Sequence, residues 1–233
     1  MKRALPFIIA EIGSSPAPAW NFGRWCVSAA LAGATHIKAQ VFCADHFPEA
    51  ERESKRPLEF PRVRFAEFVQ AAHHFGLKAG ASAFDLEAVE LVTRHGDFVK
   101  LAAREQDNHS LIDACYYRTP KPLIIRSVST LDVDLYMTEP NFITLYAVQQ
   151  YPAGLMSSIH KLWKWARLCK HYGIAWGWSS HTISDLDCLL AARLGAVVIE
   201  KHLCLADDDL EAGHALNVDQ FTRMVKSIKE MKA

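Results

Sequence analysis

The sequence predicts an α/β protein: a single (β/α)8 (TIM) barrel spanning residues 1–233. Three observations lead there. Short β-rich runs alternate with helical patterns along the chain, without a linker or low-complexity break, which implies parallel strands joined by helical crossovers. Eight such runs occur, and eight βα units in 233 residues suit a closed barrel. "GSSPAPAWNFG" follows the first strand where an open nucleotide-binding sheet would carry G-x-G-x-x-G.

The elements follow in order. "FIIAEIG" (7–13) is the first strand, and a loop rich in Pro and Ser leads to a helix near 24–33. "HIKAQVF" (36–42) alternates polar and apolar residues at the strand period of two. "CADHFPEAERESKRPLEFP" (43–61) is a polar loop of mixed charge, suited either to a lid or to a solvated surface, and a helix at 62–75 follows. "KAGASAF" (78–84) and "DFVKLAA" (97–103) are strands, each followed by an amphipathic helix. "PLIIRSV" (122–128) and "FITLYAV" (142–148) are separated by only a weak helical pattern. A strong helix at 157–172 precedes "IAWGWSS" (174–180), and a helix at 183–194 precedes "VVIEKHL" (197–203). A last helix covers 217–231. The stripe in "KLWKWARLCKHYG" (161–173) suits core packing or a barrel–barrel interface in a homodimer.

Half the residues are apolar, enough for a sizeable core. Lys plus Arg and Asp plus Glu balance at 26 each, which argues against nucleic acid as a partner. No run of about 18 apolar residues appears, so no membrane span is expected. "MKRALPFIIAEIG" breaks too early, at Glu11, for a secretory leader. Cys26, Cys43, Cys115, Cys169, Cys188 and Cys204 are scattered without a C-x-x-C pair, which reads as reduced thiols in a cytoplasmic protein.

Residues two apart on a strand share a face. Glu11 shares one with Ile9 and Gly13, Lys38 with Gln40, Ser179 with His181, and Glu200 with His202. Lys100 sits on the fourth strand, with Glu105 just beyond it. Alternate positions are mostly apolar and suit the outer helices, so the polar face is the lumen, near the C-terminal strand ends where barrel enzymes place their sites. Unpartnered ionisable groups there would cost several kcal/mol each, so a network, a metal or a bound anion is implied. Lys201 points the other way and reads as structural, and the remaining histidines read as surface or packing residues. His46 is set apart, in a loop able to fold over the site.

Two imidazoles on adjacent strands suit a divalent metal such as Mn²⁺, Zn²⁺, Fe²⁺ or Co²⁺ with open positions for substrate. Lys38 and Lys100 suit phosphate or carboxylate oxygens, with Ser82, Gln149 and Ser179 as neutral donors and Glu11 and Glu105 as acid/base or ligand-orienting groups. The implied substrate is a small phosphorylated anion that reacts with a metal-polarised carbonyl.

Eight ordered segments carry a resemblance: "IIAEIGSS", "GATHIKAQVF", "ASAFDLEAVELV", "DFVKLAAREQDNHSLI", "KPLIIRS", "QYPAG", "GWSSHT" and "GAVVIEKHL". Together they resemble the N-acetylneuraminate (sialic acid) synthase family, whose members condense phosphoenolpyruvate with an aldose to make 2-keto-3-deoxy sugar acids. The resemblance implies that His181 and His202 ligate the metal, Mn²⁺ foremost, with Mg²⁺, Co²⁺ or Zn²⁺ as alternatives. It places Lys38, Ser82, Lys100, Gln149 and Ser179 around phosphoenolpyruvate, Gln40 and Tyr151 toward a sugar aldehyde, and Glu11 and Glu105 as acid/base or water-orienting residues.

The chain also departs from the family pattern. Ser180 replaces the Asp of SDHT, Ala103 and Arg104 replace a serine and a small residue, and Gln149 replaces an Asn. "SSPAPAW" replaces the Asn/His of the first loop. "EAGH" replaces GPDH, with Gly213 where a sugar-binding Asp would stand, followed by His214. The sequence ends after the eighth helix, where the family continues into an antifreeze-like domain. Three readings stay open: a phosphoenolpyruvate–aldose synthase with an altered acceptor, a catalytically silent barrel that binds a ligand or protein, and another metal-assisted lyase or hydrolase.

Overall fold

In a computed structural model, residues 4–14, 21–118, 123–132, 134–206 and 210–231 are described. Most of the first loop's "SSPAPAW" and the start of the fifth expected strand lie outside them. Eight strands, β1 (Phe7–Glu11), β2 (His36–Val41), β3 (Lys78–Ala83), β4 (Phe98–Leu101), β5 (Leu123–Val128), β6 (Phe142–Ala147), β7 (Trp176–Ser180) and β8 (Val198–Cys204), pair in parallel in chain order. β1 also pairs β8, from Phe7 opposite Val198 to Glu11 opposite His202, and this closes the barrel. A short ninth strand, β9 (Leu216–Asn217), extends β8 at Leu203 and Cys204 and was not anticipated.

Helices α1 (Phe22–Leu31), α2 (Glu49–Lys55), α3 (Phe65–His74), α4 (Leu86–His95), α5 (His109–Arg118), α6 (Leu155–Tyr172), α7 (Leu186–Leu194) and α8 (Val218–Glu230) complete the described elements. Sequence chemistry sets their starts. Asn21 accepts from the Arg24 amide, Asp85 from the Ala88 amide, and Asn217 with Gln220 forms a reciprocal capping box. The weak pattern between β5 and β6 is a single 3₁₀ turn, Leu135–Thr138. The segment expected as an open loop at 43–61 instead holds α2 between 3₁₀ turns. Arg52 donates to the Phe47 carbonyl at 2.9 Å, and Glu59 accepts from the Ala44 amide at 2.6 Å. The aromatic stripe of α6 divides: Leu162, Trp165 and Cys169 are core, while Trp163 is half exposed.

The lumen is layered. At its lower end Ile9, Phe98, Ile125, Leu145 and Val198 form an apolar plug. Two glycines make room for it. A Cβ on Gly80 would overlap the Phe98 carbonyl and come within 2.7 Å of its ring, and one on Gly177 would lie 2.8 Å from Leu145. His36 packs beneath, between Phe7 (ring centroids 4.9 Å) and Phe98 (5.6 Å). The polar residues lie above this plug, so the fold delivers them to one end.

Gly80→Ala should therefore cost roughly 1–3 kcal/mol by overpacking. Gly213→Ala, whose Cβ meets nothing within 4 Å, should stay within about 0.5 kcal/mol, both measured by urea unfolding. Burial pulls the His36 pKa from 6.5 down to about 4. Between those values the unfolded chain binds a proton that the folded chain refuses, so stability falls as pH drops through that window. His36→Gln should remove up to one proton from that slope, about 1.4 kcal/mol per pH unit, in unfolding curves recorded across it.

Candidate active site

Strand register assembles the polar layer. Lys38 lies opposite Glu11, Ser82 opposite both Gln40 and Lys100, Glu200 opposite Ser179, and His202 opposite Glu11. The Lys38 ammonium contacts Glu11, donates to Ser82 Oγ at 2.6 Å and lies 3.9 Å from Glu200 Oε2. Lys100 pairs with Glu200 Oε1, which also accepts from Ser179 Oγ at 2.8 Å. Glu11 Oε1 accepts from the Gly13 amide at 2.7 Å and from Gln40 at 3.5 Å.

All the expected site residues except Glu105 line one cavity of about 440 Å³. The 3₁₀ turn after β4 (Ala103–Glu105) directs Glu105 toward α5, where it accepts from Asn108 at 2.9 Å, and presents Arg104 to the cavity instead. Glu105 lines a neighbouring cavity, with its Oε1 3.1 Å from Arg104 Nε. His46 is also outside, 3.5 Å from Asp85, whereas Phe47 and Lys55 from the same segment reach in. The guanidinium of Arg104 stacks 4.5 Å over the Phe47 ring and 5.6 Å from Phe84.

At the other side of the mouth, His181 Nδ1 lies 2.7 Å from the Val148 carbonyl. That partner can only accept, so Nδ1 carries the proton and Nε2 is left with a free lone pair. Burial pulls the His181 pKa down to about 3 and lowers that of His202, so both imidazoles are neutral, as metal ligation requires. Their ring centroids are 5.4 Å apart. Tyr151 packs on His181 at 4.2 Å. Burial also draws Lys38 down to about 7 against the pull of Glu200, whose own carboxyl is held low chiefly by Lys100 and Lys38 in opposition to its burial.

Sequence reasoning missed several cavity residues, Ser127, Glu211, Phe47 and Lys55 among them. Ser127 Oγ on β5 is buried without a hydrogen-bond partner and lines the cavity, and its signal was a lone serine in an apolar strand. Glu211, Phe47 and Lys55 come from segments without strand periodicity and left no such signal. His214 and Arg104, whose roles stood open, both line the cavity.

The NeuB family profile matches residues 26–233. The chain belongs to the NeuB family. It is 27% identical to the pseudaminic acid synthase of Helicobacter pylori over 205 residues, 83% of this chain and 58% of that protein. It is 24% identical to the pseudaminic acid synthase of Campylobacter jejuni (serotype O:2), across 97% of this chain and 74% of that protein. The N-acetylneuraminic acid (sialic acid) synthetase of Leptospira borgpetersenii, solved with citrate, superposes with a TM-score of 0.83 at 22% identity, covering 98% of this chain and 84% of that one. The barrel fold is thus shared with that synthetase. Among the described residues no helix is long and apolar enough to cross a membrane.

In this NeuB barrel the outer face of "SSHT" and "EKH" forms a second network. Ser180, where the sialic acid synthase pattern has Asp, shares Asp187 Oδ1 with Thr182, each at 3.1 Å, while Trp178 Nε1 donates to Oδ2 at 2.8 Å. Lys201 is fully buried beside them, bound to the Thr182 carbonyl, to Ser180 Oγ at 3.2 Å and to the His214 carbonyl at 3.4 Å. Lys201 is structural, as its strand phase implied. Lys201→Met should cost about 3 kcal/mol or more by leaving the buried Thr182 carbonyl and Ser180 hydroxyl without their donor and removing the positive charge nearest the Asp187 network. Adding Asp187→Asn should cost less than the sum of the single changes, a double-mutant cycle read by urea unfolding.

Proposed function

We propose that this barrel condenses phosphoenolpyruvate with an aldose or related sugar aldehyde, giving a 2-keto-3-deoxy sugar acid and inorganic phosphate. The observation that carries this reading is the pair of buried ammonium groups, Lys38 and Lys100, facing a cavity rimmed by hydroxyls and neutral imidazoles. The synthases among its relatives, named for pseudaminic and sialic acids, support it.

Lys38 and Lys100 would hold the phosphate and carboxylate oxygens, with Ser82, Ser127, Ser179 and Gln149 supplying neutral donors. The unpartnered Ser127 Oγ and Glu200 Oε2 mark hydrogen-bonding capacity that bound substrate and water would take up. The enol carbon adds to the aldehyde, water adds to the resulting cation, and phosphate leaves by C–O cleavage. Glu11, beside Lys38, is placed to take the proton of that water, and Lys38, with its pKa drawn toward neutrality, to return one.

His181 and His202 would hold the divalent metal, Mn²⁺ foremost, and the free Nε2 of His181 fits that role. When bound, the ion supplies Lewis-acid polarisation of the aldehyde oxygen. Charge balance supports its presence. Lys38, Lys55 and Lys100 balance Glu11, Glu200 and Glu211 in the cavity wall, and Arg104 is paired with Glu105 at 3.1 Å. A substrate bearing both phosphate and carboxylate therefore adds negative charge that the wall does not neutralise, and a divalent ion offsets it.

The acceptor reading is of an altered aldose site. Arg104 and Lys55 stand at the cavity rim, and Gly213 offers no side chain for a sugar hydroxyl. With Mn²⁺ and a panel of aldoses, phosphate should be released from phosphoenolpyruvate only when an aldose is present, and a chelator should abolish release. Lys38→Met or Lys100→Met should lower kcat/KM for phosphoenolpyruvate by roughly 10²–10³-fold. Phosphoenolpyruvate binding without release across the panel points to the silent barrel instead.

A further inference from the structure

The loop between β8 and β9 brings two more ligating side chains to the same mouth. Glu211 Oε2 lies 2.9 Å from His202 Nδ1 and 2.7 Å from His214 Nε2. One ligand atom from each of the three residues falls within 4.8 Å of the others. Yet both ring nitrogens are buried with no aligned hydrogen-bond partner, so the contacts are close without being directed at one another. Groups that converge on a common point rather than on each other have the arrangement of a coordination sphere.

The carboxylate is built in. A Cβ at Gly13, whose φ is +62°, would overlap the Glu211 side chain, so the glycine is a cradle for it. The Ser14 amide donates to Glu211 Oε1 at 3.1 Å, which leaves Oε2 to face the imidazoles. His214 is anchored from behind through its carbonyl by Lys201. Second bonds of this kind orient metal ligands.

The spacing of the rings agrees. Bonds of about 2.1 Å from one ion to two imidazoles put their centroids roughly 4.5–6.5 Å apart as the angle between them opens from about 90° toward 180°. The observed separations are 4.5 Å for His202–His214, 5.4 Å for His181–His202 and 6.5 Å for His181–His214.

We propose that Glu211 and His214 are ligands of the divalent ion, forming with His202 a preassembled set of three that His181, which stands outside it, joins when the ion binds. This rests on the reading that the mouth holds a metal, and it adds that the protein holds the ion through two residues outside the barrel strands. An imidazole and carboxylate set of this kind suits Mn²⁺, Fe²⁺, Co²⁺ or Zn²⁺ over Mg²⁺.

The test is metal binding, without turnover. Metal-free protein is titrated with Mn²⁺ while free ion is followed by EPR, for wild type, Glu211→Gln and His214→Ala, with circular dichroism confirming the fold of each. The expected result is one ion per chain in wild type and a tenfold or greater rise in Kd in each variant. Pulsed EPR on the wild-type complex covers the case of a variant that does not fold: three coupled imidazole nitrogens are expected, and two would overturn the assignment of His214. Tight wild-type binding with unchanged Kd in both folded variants overturns the proposal and leaves the metal at His181 and His202. Absence of binding to wild type overturns the metal reading itself.

Discussion

Four buried charges set the terms for the rest of the molecule: Lys38 against Glu11 and Lys100 against Glu200 inside a closed barrel. Removing each ion from water costs several kcal/mol, and pairing offsets that only when the remaining hydrogen-bonding positions are filled. The barrel fills most of them with Ser82, Ser179 and the Gly13 amide. The apolar plug beneath keeps the layer dry on one side, which strengthens every interaction above it. Well-packed apolar side chains would serve stability as well or better, so these charges are better explained by what the cavity binds than by the fold.

The same constraint explains what was legible in the sequence. Period-two alternation in "HIKAQVF" and "VVIEKHL" assigns lumen and wall correctly, because a strand sends alternate side chains to opposite faces. Lys38, Gln40, Glu200 and His202 reach the cavity by that rule, whereas Gln149, Tyr151 and His181 reach it from just past the ends of β6 and β7. Glu105 lies outside this cavity because β4 ends at Leu101 and a 3₁₀ turn resets the phase, so Arg104 lines the cavity instead. Glu211 and the inward turn of Phe47 escape for the same reason: their segments leave the strand period, and tertiary contacts alone decide where they point.

The side of the cavity proposed for the acceptor is built from those less legible parts. Phe47 sits on Phe42 with ring centroids 5.3 Å apart and under the Arg104 guanidinium, so it anchors the 43–61 segment at the barrel mouth while the segment's helix stays solvent-exposed. Arg52, donating to the Phe47 carbonyl at 2.9 Å, ties the helix of this segment to its anchoring residue. A basic residue stacked between two aromatic rings is restricted in direction, and Arg104 therefore presents its charge to the cavity from a defined position. The proposed anion side rests on strands and the proposed acceptor side on loops, and loops change at lower cost to the fold.

Three consecutive residues on β8 connect these layers. Glu200 faces the lumen and binds Lys100, Lys201 faces the wall and holds the carbonyls of Thr182 and His214, and His202 reaches the rim beside Glu211. A one-residue slip of β8 would exchange all three roles, placing an ammonium where the carboxylate now holds the two lysines. The register is fixed from both sides, by β7 through Ser179 opposite Glu200 and by β1 through Glu11 opposite His202. Lys201 thereby makes the wall part of the site: it touches nothing in the cavity, yet it ties down the two segments that carry His181 and His214 to the mouth.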